Sequence, residues 1–480
     1  MDVALFFTIL VLAVGFYMAW NIGANDVSNA MGTSVGSGAL SLRKAVILAA
    51  ILEFCGAFFV GSNVSETMQK GIIDTDLFIA DPTLLILGMC AALLGTGAWL
   101  QIASYCGWPV STTHAIVGAI VGFGLVIGGT EAILWEEILS IGVSWILSPC
   151  LSALFAYIIF NILQKKILYV MSPIAATKKL FPWLVFGVFS IFSLSMLFNG
   201  LENLNMSISF MQACLLSLLI GGVAFGISYW FIQRIEVPEN YAQTPSNVSP
   251  QTVISLEKAI KHLQRVQSST YDVTHEKVAD LVSEVKNLSQ TLRKQTCLVD
   301  KTSEYSVVEN LFVYLQILSA CFIAFAHGAN DVANAIGPVA AVLDVIKNGA
   351  ISEVAHVPSW LLAFGGVGIV IGLATWGWRV IETIGKKITE LTPTRGFCAE
   401  FGAATTILLC SKLGLPISTT HCLVGAVLGV GLARGMKALN LGMLKDIVLS
   451  WIITIPCSAV MSIFIFYLLR TFFLQFFTGS

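Results

Sequence analysis

The sequence predicts an all-α polytopic membrane protein whose two halves repeat one another. Hydrophobic residues make up 56% of the 480-residue chain and charged residues only 11%, whereas a soluble domain carries about 25% charged residues. An octapeptide also occurs twice, as GANDVSNA at 23–30 and as GANDVANA at 328–335. Each copy follows a long apolar run, where an ionised aspartate is costly, so both carboxylates are expected to face something other than lipid.

Apolar runs close to the length that crosses a bilayer core, about 20 residues, predict roughly ten to twelve crossings, with re-entrant half-helices among the shorter runs. The first run has neither a basic leader nor a cleavage site, so we interpret it as a retained span. The runs lie near 3–20, 43–62, 83–104, 113–130, 138–163, 182–199, 208–232, 308–327, 332–346, 359–380, 397–412, 418–433 and 446–473.

A hydrophilic insert separates the two halves. We predict a first repeat with linking helices at 1–233, the insert at 234–306 and a second repeat at 307–480. Between Arg234 and Glu304 the chain carries 18 of its 54 charged residues, nine of each sign. Apolar residues recur there at spacings of three and four, which predicts an amphipathic two-helix hairpin. A solvated connector is the simpler interpretation, and a regulatory or partner-binding domain is the alternative.

Basic residues in the short loops predict the orientation. Four lysines lie in the loop at 165–179, the next loop at 200–205 has none, and the insert follows. These positions place the insert in the cytoplasm. The loop from Ser62 to Asp81 carries four acidic residues against one lysine, which is typical of an external loop.

A second motif extends the duplication. It reads GWPVSTTH at 107–114 and GLPISTTH at 414–421, and a Ser-Trp…Pro-Cys pattern at 144–150 returns at 450–457. Paired units with interrupted hydrophobic segments at corresponding positions indicate a secondary transporter whose substrate binds near the midplane, between the repeats. Whether the repeats are inverted does not follow from these residues.

The second motif has the chemistry of an anion site. A proline followed by Ser-Thr-Thr and an apolar run predicts hydroxyl side chains at a helix N-terminus, where free N–H groups and the helix dipole favour an anion. Two such ends would converge on one oxyanion. The candidate residues are Ser111, Thr112, Thr113, Ser418, Thr419 and Thr420.

The octapeptide has the chemistry of a cation site. In a helix its two asparagines and its aspartate share one face, and their oxygen atoms suit a hard cation such as sodium. Two aspartates would repel an anion unless a cation or a proton accompanied it. Cation-coupled anion transport is therefore the hypothesis. The residues are Asn25, Asp26, Asn29, Asn330, Asp331 and Asn334.

Structural roles are the alternatives for the same residues. Asn, Ser and Thr in apolar helices often bond neighbouring helices, and Asp26 or Asp331 would alternatively pair with a distant Arg or Lys. His114 and His421 either orient their loops or relay protons. A membrane hydrolase with a Ser-His-Asp triad is disfavoured, because neither serine has a Gly-x-Ser-x-Gly context. No enzyme activity is expected.

With both motifs duplicated in full, the chain resembles the inorganic phosphate transporter (PiT) family. The resemblance implies two inverted repeats of transmembrane helices joined by a cytoplasmic loop. It also implies that phosphate binds between the two hydroxyl loops, with Asn25 and Asn330 at the phosphate. Asp26, Asn29, Asp331 and Asn334 would hold the cation.

The resemblance is greatest to the sodium-dependent, eukaryotic-type branch, through the run from Gly32 to Gly38, Glu53, and Cys398-Ala399-Glu400. In that branch glutamates at the positions of Glu53 and Glu400 are important for transport. Proton-coupled phosphate or metal-phosphate symport and sulfate transport are the alternatives. The two half-sites are also unequal, because Ile22 precedes the first octapeptide where His327 precedes the second.

The expected partners follow from the predicted activity. They are inorganic phosphate, sodium or a proton as co-substrate, and the lipid bilayer, with no cofactor; a homodimer is left open. The net charge of −2 provides no basic field for nucleic acid. The expected location is the plasma membrane or inner membrane of the cell.

Overall fold

The computed structural model is almost entirely helical in the part of the chain that it describes. Its only strand-like pairing there is an isolated antiparallel bridge between Ile73 and Ile133. The described residues are 3–79, 81–170, 172–197, 208–235, 273–300, 304–349, 357–378, 381, 391–435 and 441–477, with single positions between 256 and 268.

Six helices form the first repeat, and three helices follow it. Those of the first repeat are α1 (Val3–Gly36), α2 (Leu42–Val60), α3 (Ser62–Lys70), α4 (Pro82–Cys106), α5 (Thr112–Gly128) and α6 (Trp135–Leu163). The next three are α7 (Pro173–Ser195), α8 (Phe210–Gln233) and α9 (Val273–Asp300). The second repeat contains α10 (Glu304–Asn348), α11 (Ser359–Trp376), α12 (Pro393–Lys412), α13 (Thr419–Arg434) and α14 (Leu441–Phe477).

Nine helices of the described residues are long and apolar enough to cross a membrane. The consecutive helices α2 and α3, bent by 65°, would add a tenth span. Helix α13 is apolar but shorter, as expected of a half-helix. The all-α polytopic prediction is confirmed, and the described residues give nine or ten spans against the ten to twelve predicted.

Two predicted boundaries are wrong at the octapeptides. The first span does not end at Trp20, because α1 continues through the octapeptide to Gly36, and α10 joins the predicted runs 308–327 and 332–346 into one helix. The octapeptides contain no proline, and their polar side chains are buried against other helices instead of facing lipid. Hydropathy therefore falls at this point although the helix continues.

The predicted external loop from Ser62 to Asp81 is also partly wrong. Its first nine residues form α3, in which Ser65 is fully buried and donates a hydrogen bond to the carbonyl oxygen of Gly61 at 2.6 Å. The helix packs closely on α10, since a Cβ atom on Gly337 would lie 2.5 Å from Cβ of Met68. This polar segment is buried because it packs against a neighbouring helix. Its amino-acid composition alone gives no sign of that contact.

Each repeat packs one of its helices against a helix of the other repeat. Helix α5 lies on α14, where a Cβ atom on Gly118 would come within 2.7 Å of the Ile455 carbonyl oxygen. Helix α13 lies on α6, where a Cβ atom on Gly425 would come within 2.3 Å of the Pro149 carbonyl oxygen. Such reciprocity indicates a pseudo-two-fold axis. Small residues permit this close approach of backbones in membrane helices, and the arrangement fits two inverted repeats.

The insert is described only in part. Helix α9 belongs to it, and the first helix of the predicted hairpin falls largely outside the described residues. The division at 234 and 306, together with the cytoplasmic location of the insert, remains a prediction.

Candidate functional site

The two hydroxyl motifs begin α5 and α13, as predicted. Ser111 precedes α5, and its hydroxyl oxygen accepts a hydrogen bond from the backbone N–H of His114 at 3.2 Å. Ser418 makes the same contact with the N–H of His421, also at 3.2 Å. Both serines therefore cap their helices. The threonines that follow lie in the first turn, beside free backbone N–H groups.

The first threonine of each motif binds the aspartate of its own repeat. The Thr112 hydroxyl donates to Oδ2 of Asp26 at 2.7 Å, and the Thr419 hydroxyl donates to Oδ2 of Asp331 at 2.8 Å. Both aspartates are fully buried. Charge-assisted hydrogen bonds of this length partly replace the water that each carboxylate loses on burial.

The second threonine of each motif joins the two repeats. Nδ2 of Asn29 donates to the Thr420 hydroxyl at 2.7 Å, and Nδ2 of Asn334 donates to the Thr113 hydroxyl at 3.1 Å. The Thr113 hydroxyl in turn donates to the carbonyl oxygen of Ile417 at 2.9 Å. The two half-sites thus meet at one place, which we call the central cluster: Asp26, Asn29, Thr112, Thr113, Asp331, Asn334, Thr419 and Thr420.

The first asparagine of each octapeptide lies at the margin of the central cluster. Nδ2 of Asn25 donates to the Ser104 hydroxyl at 2.9 Å. The amide oxygen of Asn330 accepts a hydrogen bond from the Ser411 hydroxyl at 3.1 Å. Ser104 and Ser411 lie near the ends of α4 and α12. These contacts are the helix-to-helix bonds that the sequence left open as an alternative.

A histidine lies between the carboxylates. Nε2 of His327 is 2.8 Å from Oδ2 of Asp331 and 4.0 Å from Oδ2 of Asp26, while Nδ1 is 3.1 Å from Oε1 of Glu53. The basic partner of the aspartates is thus this histidine and not a distant Arg or Lys. The sequence showed His327 only as a difference between the two octapeptides and carried no sign of its three acidic neighbours.

Glu400 lies apart from the central cluster, in a group of polar side chains from three helices. One of its oxygens accepts hydrogen bonds from Thr33 at 2.5 Å and Ser34 at 2.6 Å, and the other accepts one from Ser319 at 2.5 Å. Nε2 of Gln316 is 3.3 Å from the first oxygen. All five residues of this Glu400 cluster are fully buried. The sequence did not predict the partners of Glu400, since they come from distant parts of the chain.

Both clusters offer oxygen ligands to a cation. In the central cluster, ligand atoms of Asp26 and Asp331 lie within 4.8 Å of each other and of a ring nitrogen of the neighbouring His327. The carboxylate, hydroxyl and amide oxygens that surround them are the donors that hard cations prefer. The Glu400 cluster has one carboxylate with three hydroxyls and an amide.

The two motif histidines have packing contacts. The rings of His114 and His421 lie edge to face with centroids 4.3 Å apart. His114 also contacts Trp145 at 3.9 Å, and His421 stacks on Trp451 at 3.5 Å. These four rings hold the first turns of α5 and α13 against each other at the pseudo-two-fold axis.

Residues 22–462 match the phosphate transporter family. The chain belongs to the phosphate transporter family. A relative from Chlamydia pneumoniae, provisionally named a phosphate permease, is 47% identical over 467 residues, which cover 97% of this chain and 99% of that protein. The Arabidopsis thaliana protein named inorganic phosphate transporter 2-1, chloroplastic, is 45% identical over 455 residues, which cover 94% of this chain and 70% of that protein.

This member of the phosphate transporter family also matches a solved structure along nearly all of its length. That structure is titled the sodium-dependent phosphate transporter. The match has a TM-score of 0.78 at 35% sequence identity and covers 97% of this chain and 99% of that one. The family and the structural neighbour are transporters, so the chain is an integral membrane transporter and the hydrolase hypothesis is set aside.

Proposed function

We propose that this member of the phosphate transporter family imports inorganic phosphate by symport with sodium, and that phosphate binds between the two repeats. One observation carries the proposal: the hydroxyl-bearing first turns of α5 and α13 meet beside two buried aspartates. Free N–H groups at two helix N-termini attract an oxyanion. The proposed phosphate ligands are Ser111, Thr112, Thr113, Ser418, Thr419 and Thr420, with Asn25 and Asn330 at the margin.

The aspartates make a cation necessary for phosphate binding. Two unit charges 4 Å apart interact with about 4 kcal/mol at the effective dielectric constant typical of protein sites. Phosphate would therefore be repelled by Asp26 and Asp331 unless a cation compensated them. We assign sodium to the carboxylates and amides of the central cluster, which are Asp26, Asn29, Asp331 and Asn334.

Coupling follows from the hydrogen bonds of two threonines. The hydroxyls of Thr112 and Thr419 donate to the aspartates. A sodium ion on a carboxylate replaces that donor, so the hydroxyl becomes free to donate to a phosphate oxygen. Sodium binding would thus both remove the repulsion and complete the anion site.

The Glu400 cluster is proposed as a further sodium site. Its carboxylate is buried, and its neighbours are three hydroxyls and one amide. Hydroxyl oxygens can turn from donating to the carboxylate to accepting a cation, because a hydroxyl is both donor and acceptor. Glu53 is assigned to transport through its contact with His327.

The decisive experiment is uptake of radiolabelled phosphate into proteoliposomes, with sodium and proton gradients imposed independently. We expect uptake to follow the sodium gradient and to fall by about tenfold or more in Asp26→Asn, Asp331→Asn and Glu400→Gln, a loss of at least about 1.4 kcal/mol. Asp81→Asn is the matched control, because Asp81 is exposed and caps α4, a role that asparagine also fills.

Two results would contradict parts of the proposal. Uptake that follows the proton gradient without sodium would favour the proton-coupled alternative. Failure of excess phosphate to compete with labelled sulfate uptake would indicate a sulfate transporter.

A further inference from the structure

Two sets of hydrogen bonds in the central cluster are repeated in both halves. Each aspartate accepts a bond from a threonine of its own repeat, at 2.7 Å in one half and 2.8 Å in the other. Each second asparagine donates to a threonine of the opposite repeat, at 2.7 Å and 3.1 Å. A departure from this symmetry is therefore specific to one half-site.

The contacts of His327 and Glu53 are such a departure. Ile22 precedes the first octapeptide at the position where His327 precedes the second. The structural counterpart of Glu53 is Ile369. Both isoleucines are fully buried. One half-site thus has a histidine beside a glutamate where the other has two aliphatic side chains.

Two pairs of glycine contacts establish that Ile369 corresponds to Glu53. A Cβ atom on Gly23 would lie 1.9 Å from the Ile369 carbonyl oxygen, and one on Gly328 would lie 2.1 Å from the Glu53 carbonyl oxygen. Three residues further along, Gly372 packs on the Trp20 carbonyl and Gly56 packs on the Phe325 carbonyl in the same way.

The histidine makes the two aspartates unequal. Its Nε2 lies 2.8 Å from Oδ2 of Asp331, the oxygen that also accepts from the Thr419 hydroxyl. The same nitrogen is 4.0 Å from Oδ2 of Asp26, which is beyond hydrogen-bond distance. The ring nitrogen therefore lies at ion-pair distance from Asp331, in a position that a cation would need. At Asp26 no ring nitrogen lies that close, and its other oxygen accepts a hydrogen bond from Nδ2 of Asn29 at 3.2 Å.

We propose that His327, positioned by Glu53, takes the place of a cation at Asp331, so that sodium binds preferentially in the half-site of Asp26. The proposal rests on the proposed sodium-coupled function and deepens it. It assigns His327 a role in setting how many sodium ions accompany phosphate. Glu53 acts through the histidine, whose Nδ1 it contacts at 3.1 Å.

The chain itself supplies the test variant, because its other repeat folds with isoleucine at both positions. In Glu53→Ile/His327→Ile, one acidic and one basic group are lost together, and Asp331 is left without its ring neighbour. We expect this protein to bind one more sodium ion per chain than the wild type. The measurement is equilibrium binding of radioactive sodium to purified protein in detergent, with saturating inorganic phosphate.

Two further variants make the result specific. Ile22→Val/Ile369→Val alters the packing at the equivalent positions and is expected to bind the wild-type number of sodium ions. His327→Gln alone covers the case in which the double variant does not fold; it keeps a polar side chain of similar size and is also expected to gain sodium. Size-exclusion chromatography identifies the folded proteins.

Each outcome has a distinct meaning. A wild-type protein whose phosphate binding does not depend on sodium would contradict the proposed function. If phosphate binding by the wild type does depend on sodium, the inference fails when the double variant and His327→Gln each bind the same number of sodium ions as the wild type. The proposed function would then still stand.

Discussion

At the scale of residues, the threonine hydroxyls connect the two chemistries of the site. Thr112 and Thr419 donate to the aspartates, while Thr113 and Thr420 accept from asparagines of the opposite repeat. A buried carboxylate that loses such a donor keeps its desolvation cost without compensation. The hydroxyl group of these side chains, more than their volume, is therefore expected to matter for transport.

Thr112 provides a direct test of this expectation. Thr112→Val removes the donor to Asp26 and should lower phosphate uptake by about 5- to 150-fold, because an unsatisfied buried polar group costs about 1–3 kcal/mol. Thr112→Ser keeps the hydroxyl and should retain most of the uptake. The control is Thr405→Val, since the Thr405 hydroxyl bonds only within its own helix, to the Phe401 carbonyl at 2.7 Å. Equal losses in the valine and serine variants would contradict the role of the hydroxyl.

At the scale of helices, glycines set how closely the two repeats approach. The octapeptide glycines permit α1 to pack on α11 and α10 to pack on α2 with backbones in contact. This close packing of the helices places the octapeptide aspartates beside the hydroxyl-bearing first turns of α5 and α13. Packing of this kind relies on small residues, because membrane helices gain little from hydrophobic burial against each other.

Gly23→Ala should therefore prevent correct assembly, whereas Gly222→Ala should be tolerated. A Cβ atom on Gly23 would lie 1.9 Å from the Ile369 carbonyl oxygen, but one on Gly222 in α8 meets no atom within 4 Å. In an exposed helix, alanine is favoured over glycine by about 0.5–1 kcal/mol. Thermal unfolding in detergent, with monodispersity by size-exclusion chromatography, compares the two. A Gly23→Ala protein as stable as the wild type would show that the contact is dispensable.

At the scale of the whole molecule, each helix that begins with a hydroxyl motif packs on the opposite repeat: α5 on α14, and α13 on α6. The central cluster lies where these exchanged pairs meet. A ligand bound there contacts both repeats, so movement of one repeat against the other would alter its ligands on both sides. This arrangement is the basis of alternating access in repeat-built transporters.

The orientation of the molecule is testable on the exposed face of α9. Ser283→Cys, in a background with Cys106→Ala, Cys150→Ala and Cys297→Ala, should react with a membrane-impermeant maleimide in inside-out vesicles and not in intact cells. Asp81→Cys should show the reverse pattern, because the acidic region before α4 is predicted to be external. Labelling of Ser283→Cys in intact cells would contradict a cytoplasmic insert.

The duplicated motifs allowed most of the central cluster to be predicted. The residues repeat at a constant spacing, so the motifs name them, but the pairing of Asp26 with Thr112 and of Asn29 with Thr420 was not predicted. Glu53 and Glu400 have no counterpart in the opposite repeat, so they entered only through resemblance to a family. His327 was overlooked as a partner, because a single histidine in an apolar helix gives no indication of what lies across from it.

The sequence by itself determined the membrane class, the duplication, and the residue types of the proposed anion and cation sites. These depend on composition and local periodicity, which are properties of the chain alone. Only the tertiary structure decided that the octapeptides lie within continuous helices and that threonines of the hydroxyl motifs bond the aspartates. It also decided that His327 lies closer to Asp331 than to Asp26. These features depend on contacts between residues as many as 391 positions apart, and such contacts form only when the two repeats pack together.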